Sequence, residues 1–364
     1  MKKEWENIVL FTSNYTGGIP QFVIQMIYEL LEMGKEVKAF IPASDQLLIN
    51  DDIFPYVERY KKPKTLNVHN GGIKRLKKYI IDFKPDLVWF FDNSILSSEL
   101  SILIGKTATQ MMIFHDAGGA HPTNNESLIN RARVYIEEHY SNFAAKKFID
   151  YVLLLSEESR KKYISLFPYN ASKTRKLNLG AHIIIKPEKK PPEIDAVNSK
   201  FILFFGRIDK YKGLDRAIKA INAFHSNEII LVVAGKGDVS FLGDLLINKD
   251  NIILINRYID DGEMIYLFRN SSGVILPYIE ATQSGILPIA YYYGKPVICS
   301  DIPGLSQFVI HGQTGFVAKH DEEYKKYINI LLNENNSKIS KNCKEYYNNN
   351  LSWKSNLVRM FDSL

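Results

Sequence analysis

The chain has 364 residues, of which 46% are apolar and 24% charged, with a net charge of +6. That length exceeds one typical core and the composition is ordinary globular, which predicts two domains and excludes a disordered, collagenous or disulfide-built chain. Its apolar runs fall far short of the roughly 20 residues of a membrane span, and two cysteines, Cys299 and Cys343, are too few for a metal cluster and fit a reducing cytoplasm.

The opening stretch MKKEWENIVLF carries lysines but no long apolar segment and no small-residue cleavage site, so it is expected to lead straight into a first strand. Residues 8–11 read as that strand, followed by polar Thr12-Ser13-Asn14 and then Gly17-Gly18-Ile19-Pro20. Phe22, Val23, Met26, Ile27, Leu30 and Leu31 recur at helical spacing, Pro20 suits the first turn, and Gly34 ends the helix before a strand at 36–42. This strand–helix–strand unit is the building block of a parallel sheet. The alternation continues with a basic amphipathic helix at 73–83, strands at 87–91 and 111–114, and a loop from His115 to His121. A helix at 131–148 and a strand at 151–155 follow, with Ser156-Glu157-Glu158-Ser159 capping the next helix.

Residues 186–200 are polar, charged and proline-rich without periodicity, and there the domain boundary is expected, between a first domain at 1–190 and a second at 198–350. Beyond it the pattern restarts. Strands are expected at 201–205, 229–234, 252–255, 273–276 and 296–299, helices at 213–224 and 260–270, and a final amphipathic helix at 353–364. Two Rossmann-like, doubly wound α/β domains facing each other across a cleft are therefore predicted, with ligands outside the carboxyl ends of the strands. The positive excess is one-sided. Residues 1–190 hold 27 Lys and Arg against 21 Asp and Glu, whereas residues 191–364 hold 19 of each. The excess is either a solvated lysine-rich face or a surface for an anionic partner.

Four loops carry residues suited to chemistry. Thr16-Gly17-Gly18-Ile19 brings backbone amides to a helix start, fit for an anion or for a plain tight turn. In Gly206-Arg207-Ile208-Asp209-Lys210-Tyr211-Lys212-Gly213, Arg207 and Lys212 flank a helix start, a natural diphosphate clamp. In Tyr278-Ile279-Glu280-Ala281-Thr282-Gln283-Ser284-Gly285, the Ser284 and Gly285 amides suit phosphate, and Glu280 is either a sugar-hydroxyl acceptor or a surface carboxylate. In His115-Asp116-Ala117-Gly118-Gly119-Ala120-His121, His115 can bond a sugar hydroxyl, and His121 is read as a cap or a buried hydrogen-bonded residue. Further metal ligands at suitable spacing are missing.

Together these loops resemble the family-4 retaining glycosyltransferases, which have the GT-B fold. The resemblance rests on Gly17-Gly18, on His115-Asp116, on Gly206-Arg207 followed by Lys212-Gly213, and on Gly235-Lys236-Gly237. It rests also on the run from Gly294-Lys295-Pro296 to Pro303-Gly304-Leu305, and on His311-Gly312-Gln313-Thr314-Gly315-Phe316. It implies that Arg207, Lys212, Gly235, Gly237, Thr282, Gln283, Ser284 and Gly285 hold the donor, capped by Gly17-Gly18, with His115, Arg207, Lys212 and Glu280 at the reaction centre. Asp116 and His121 fall on the acceptor side, and the last helix returns to the first domain. No metal or other cofactor is expected, since cations and a helix dipole neutralise the departing diphosphate. The implied activity is transfer from a nucleotide-diphosphate sugar to a glycan or lipid-linked acceptor in bacterial polysaccharide or glycoconjugate synthesis. It would take place in the cytoplasm or on the inner membrane face, with no nucleic acid involved. One departure stands out: where the family carries two glutamates eight positions apart, this chain has Ala281 and Ile289, a Thr-Gln-Ser-Gly variant of the loop, and Gln307 replaces a common glutamate. An epimerase of the same fold, using Glu280 and Asp116, and a non-catalytic subunit are the alternatives. A nicotinamide dehydrogenase is disfavoured by the missing glycine fingerprint.

Overall fold

A computed structural model describes residues 5–15, 18–44, 49, 51–65, 71–115, 128–181, 186–195, 199–224, 229–246, 251–333 and 336–364. In the first half the elements are β1 (Asn7–Phe11), α1 (Gly18–Glu32), β2 (Glu36–Pro42), β3 (Val57–Tyr60), α2 (Gly71–Asp82) and β4 (Leu87–Phe90). Then come α3 (Ile95–Ile104), β5 (Thr109–Phe114), α4 (Leu128–Lys147), β6 (Tyr151–Leu154), α5 (Glu157–Leu166) and β7 (Thr174–Lys176). The second half runs β8 (Phe201–Phe205), α6 (Leu214–Asn222), β9 (Ile230–Ala234), β10 (Ile252–Ile255), α7 (Asp261–Asn270) and β11 (Gly273–Leu276). It ends with α8 (Ile286–Tyr292), β12 (Val297–Ser300), α9 (Pro303–Ser306), β13 (Gly315–Ala318), α10 (Asp321–Asn333), α11 (Ser337–Tyr346) and α12 (Trp353–Asp362).

The strands form two wholly parallel sheets, ordered β3-β2-β1-β4-β5-β6-β7 and β10-β9-β8-β11-β12-β13. Parallel sheets are covered on both faces, which is why the strands are near-continuous apolar runs. The two-residue period of a strand sorts those runs between layers. In the second sheet Ile202, Phe204, Leu231, Val233 and Ile275 join α6 and α10 on one face. Phe201, Leu203, Val232, Val274 and Leu276 join α7 and α8 on the other. In the first sheet Val9, Phe11, Val88 and Phe90 meet Ile73, Leu76 and Ile80 of α2 and Leu96, Leu100 and Ile104 of α3.

Two compact units result, residues 1–178 with 356–364, and residues 179–355. Within the first, Phe361 packs against Trp5 at 5.5 Å between ring centroids, and Arg175 Nε donates to the Ser363 carbonyl at 3.1 Å. The polar stretch 186–195 lies inside the second unit, held there chiefly by buried Ile194 and the Arg257 pairs, with weaker exposed ion pairs beside them. Lys186 pairs with Asp261, Lys189 with Asp260 at 3.2 Å, and Arg269 with Glu188 at 3.3 Å. Arg257 grips Glu193 at 2.8 Å and the buried Glu263 at 2.7 Å. Pro187–Lys190 composition reads as a linker, yet ion pairs and buried Ile194 dock it on α7 and its surroundings.

Several elements escape periodicity. The sequence of α3, ILSSELSILI, has serines and a glutamate where an amphipathic pattern would alternate, and Ser97, Ser98, Glu99 and Ser101 are all buried. The strand β13, GFVA, follows directly on a Gly312–Gly315 turn and is too short to stand out.

Removing one side of a buried ion pair strands the other. Arg257→Met is therefore expected to lower stability by about 2–3 kcal/mol, below the range for a fully buried pair because Arg257 is part-exposed. The urea midpoint of the full chain measures it, and an unchanged midpoint would mean that this docking contributes nothing.

Candidate functional site

In a doubly wound sheet the crevice opens where the strand order reverses. In the second unit that point lies between β8 and β11, and both loops leaving it are the ones singled out by sequence. Residues 210–212 form a single tight helical turn, after which Gly213 adopts a left-handed φ of 62° and starts α6. An added Cβ there would overlap the Pro277 carbonyl oxygen, so only glycine lets the two loops close up. Across this contact the Ile279 amide donates to the Tyr211 carbonyl at 2.7 Å.

Lys212 is 9% exposed. Its Nζ donates to Tyr278 Oη at 3.1 Å and lies 4.9 Å from the centroid of the same ring. Among the described residues no carboxylate pairs with it. An ammonium so enclosed is costly unless an anion compensates it. Arg207 leaves the neighbouring turn toward solvent, 69% exposed, with Asp209 at 3.5 Å as its ion-pair partner. Such an exposed pair is weak and leaves the guanidinium available to another anion.

The other predicted donor residues have mixed roles. Gly235 and Gly237 are close-approach glycines: added Cβ atoms would overlap the carbonyl oxygens of Gly206 and Ile208. Asn256 clasps Gly237, accepting from its amide at 3.0 Å and donating to its carbonyl at 3.1 Å. Glu280 is exposed, Thr282, Gln283 and Ser284 are half-buried, and Gly285 is exposed just ahead of α8. Ser284 Oγ accepts from the Ile286 amide at 3.3 Å. Gln283 Oε1 is buried with no hydrogen-bond partner among the described residues. Ile289 belongs to the apolar core.

In the first unit the reversal lies between β1 and β4, and sequence reading missed the residue that fills it. Asp92, one residue past Phe91, is buried and accepts from Thr12 Oγ1 at 2.8 Å, the Ser13 amide at 2.7 Å, Ser13 Oγ at 3.1 Å, the Ser94 amide at 3.2 Å and Ser97 Oγ at 2.6 Å. Burial alone pushes this carboxyl up, but the hydrogen bonds from Ser94, Ser97, Ser13 and Thr12 outweigh it and hold Asp92 below the ordinary carboxylate value. Tyr60, buried and facing Asp92, is pushed well above the usual phenol value, first by burial and then by that charge; its hydroxyl donates to the Thr12 carbonyl at 2.8 Å. The only available hint was a carboxylate directly after a strand.

His115 ends β5 half-buried, its Nε2 2.8 Å from the Phe91 carbonyl. A carbonyl only accepts, so Nε2 carries a proton and donates it. Gly18 opens α1 with clear space where a side chain would stand. Gly17, Asp116 and His121 lie outside the described residues. Beside this region Arg59, Lys61, Lys62, Arg75 and Tyr79 line a basic cleft of about 420 Å³, and Lys62 Nζ donates to the Ser13 carbonyl at 3.0 Å.

Residues 185–350 match the family model described as Glycosyl transferases group 1, so the second unit carries that family's sequence pattern. Over 153 residues the chain is 24% identical to an uncharacterised glycosyltransferase of Methanocaldococcus jannaschii, covering 41% of this chain and 37% of that protein. The chain thus spans little more than a third of that relative. HepE of Anabaena in complex with UDP superposes with a TM-score of 0.71 at 15% identity, over 99% of this chain and 100% of that one. Sucrose-phosphate synthase of Thermosynechococcus elongatus superposes with a TM-score of 0.72 at 15% identity, over 98% of each chain. These likenesses show the fold, which is GT-B.

An amide at position 92 would turn donors toward donors. Asp92→Asn is expected to cost about 2–3 kcal/mol at pH 7, read from urea midpoints. Because the folded value lies below the unfolded one, the carboxylate's contribution is complete above about pH 4 and is lost as pH falls through the folded value. The two midpoint curves should therefore converge at acid pH; a constant gap would show that ionisation of Asp92 is irrelevant.

Proposed function

We propose that this chain is a retaining, metal-independent glycosyltransferase that moves a sugar from a nucleotide-diphosphate donor to a glycan or lipid-linked acceptor. The observation that carries the reading is Lys212: a buried ammonium at a sheet's switch point, with a phenol and, among the described residues, no carboxylate for company. The missing counter-charge is what a diphosphate supplies. Arg207, nearby and weakly engaged, adds a second cation. The group 1 match over 185–350 and the UDP and UDP-glucose held by HepE, which shares the fold, support a nucleotide-sugar donor.

In the proposed reaction the bond between the sugar's anomeric carbon and the diphosphate oxygen breaks, and its electron pair stays on that oxygen. Lys212, Arg207 and the amides around Ser284 and Gly285 stabilise the departing charge. The acceptor hydroxyl forms the new bond on the same face and gives its proton to the leaving phosphate oxygen. His115, whose Nε2 is engaged by the Phe91 carbonyl, would offer its other ring nitrogen to a sugar hydroxyl.

The first unit would take the acceptor. Its helix α2 buries Ile73, Leu76 and Ile80 and turns Lys74, Arg75, Lys78 and Tyr79 outward. On α4, Ile136 and Phe143 are exposed one heptad apart, ahead of Lys146 and Lys147 in the last turn. Cations beside exposed apolar groups suit an anionic lipid surface, where a lipid-linked acceptor in polysaccharide or glycoconjugate assembly would be met. No helix among the described residues is long and apolar enough to cross a membrane.

Replacing Arg207 and Lys212 together by alanine should reduce donor turnover well over tenfold, a loss above ~1.4 kcal/mol of transition-state stabilisation. Turnover surviving within tenfold would rule out the clamp, and loss of wild-type turnover in a chelator would rule out metal independence. In liposome flotation, recovery should rise with anionic lipid and fall with salt; equal recovery on neutral vesicles would remove the electrostatic case for membrane attachment.

A further inference from the structure

Tyr278 has no part in the mechanism above, yet its hydroxyl is the sole hydrogen-bond partner of Lys212 Nζ among the described residues. It is built in firmly. The residue is 2% exposed, its carbonyl accepts from Ser300 Oγ at 2.6 Å, and that hydroxyl also meets Tyr324 Oη at 2.9 Å. Tyr211 packs edge-on against its ring at 6.3 Å. The ring and hydroxyl therefore present a fixed surface to the lysine. On its other side the ammonium borders Gly206, where an added Cβ would come within 3.2 Å of Nζ.

We propose that Tyr278 is a positioning residue that aims the Lys212 ammonium at the ligand's diphosphate while leaving its charge uncancelled; this rests on the diphosphate-donor reading. The physical point is the partner's neutrality. A carboxylate in this place would hold the lysine equally well but would neutralise it. A phenol accepts one of the three N–H bonds and carries no charge of its own. Two ammonium donors and the whole positive charge remain for an anion. Tyr278 itself is too enclosed to be the main contact, so it acts through Lys212.

The test is a double-mutant cycle on the full chain, with inorganic pyrophosphate and UDP as calorimetric probes. Tyr278→Phe keeps the ring and loses the hydroxyl, and should weaken binding of both probes about three- to tenfold. With Lys212→Met already present, the same change should have less than about a twofold effect, because nothing is left to aim. An equal loss in both backgrounds would mark a merely structural role and overturn the proposal, as would unchanged affinity in Tyr278→Phe or no binding of either probe to wild type. If Tyr278→Phe does not melt cooperatively, Tyr278→His is carried through the same cycle with the same criteria. Sugar transfer is assayed separately. Binding that follows the expected cycle without transfer from any nucleotide sugar would keep the positioning role and discard the glycosyltransferase reading. Transfer with a flat cycle would do the reverse.

Discussion

A cation removed from water must be matched, and in the second unit the described residues match Lys212 only in part. The fold creates the position: β8 and β11 run side by side while their neighbours diverge in opposite directions, so their outgoing loops meet over a gap. Glycine at 213 lets the loops touch, and lysine and tyrosine fill the gap from either side. A protein selected for stability alone would put an apolar pair or a full ion pair there. Retaining a buried ammonium against a neutral phenol keeps a positive potential where the strand order of the sheet reverses.

The first unit solves the same geometric problem with the opposite charge. Its reversal between β1 and β4 is occupied by Asp92, whose two oxygens are taken up by hydroxyls and amides of Thr12, Ser13, Ser94 and Ser97. That carboxylate is satisfied, and it serves to fix the loop leading from β1 toward α1. An anion would find no welcome at the residue itself, although basic side chains stand close by. One topology used twice thus yields a crevice that holds a buried cation and another whose polar groups are already spent on shaping a turn. On the proposed reading, charge recognition belongs to the second unit, and the first meets its ligands through His115 and the surface cations.

What sequence could reveal follows from which interactions are local. The wound architecture was legible because buried parallel strands are continuous apolar runs separated by glycine-bearing turns. The placement of Arg207, Lys212 and Gly213 in the loop leaving β8 was legible because cations and a glycine directly after an apolar run mark the turn out of a strand. Tyr278 and Asp92 were not, because their meaning lies in partners far along the chain: Lys212 is 66 residues before Tyr278, and Thr12 is 80 before Asp92. Residues 186–195 show the converse error. Their composition is that of a linker, but whether Lys186, Lys189 and Glu193 are solvated depends on Asp261, Asp260 and Arg257, which local sequence cannot supply. The helix α3 was lost for a related reason, since its serines are buried against other elements rather than facing water.

The loop that departs from the family pattern shows how the rest is balanced. Ile289 packs among Leu287, Ala290 and Tyr291 in the core, and a glutamate placed there would carry its charge into apolar surroundings. The polar groups near the start of α8 therefore come from the loop before it, where Gln283 holds a buried amide oxygen without a partner among the described residues and Ser284 braces the Ile286 amide. Neutral hydrogen bonds of this kind are roughly half as strong as charge-assisted ones. On the proposed reading, a donor meets no helix-borne carboxylate at position 289, and the grip shifts to its diphosphate. That shift makes the uncancelled charge of Lys212, and hence the neutrality of the residue that steadies it, more consequential here than in a chain that keeps both glutamates.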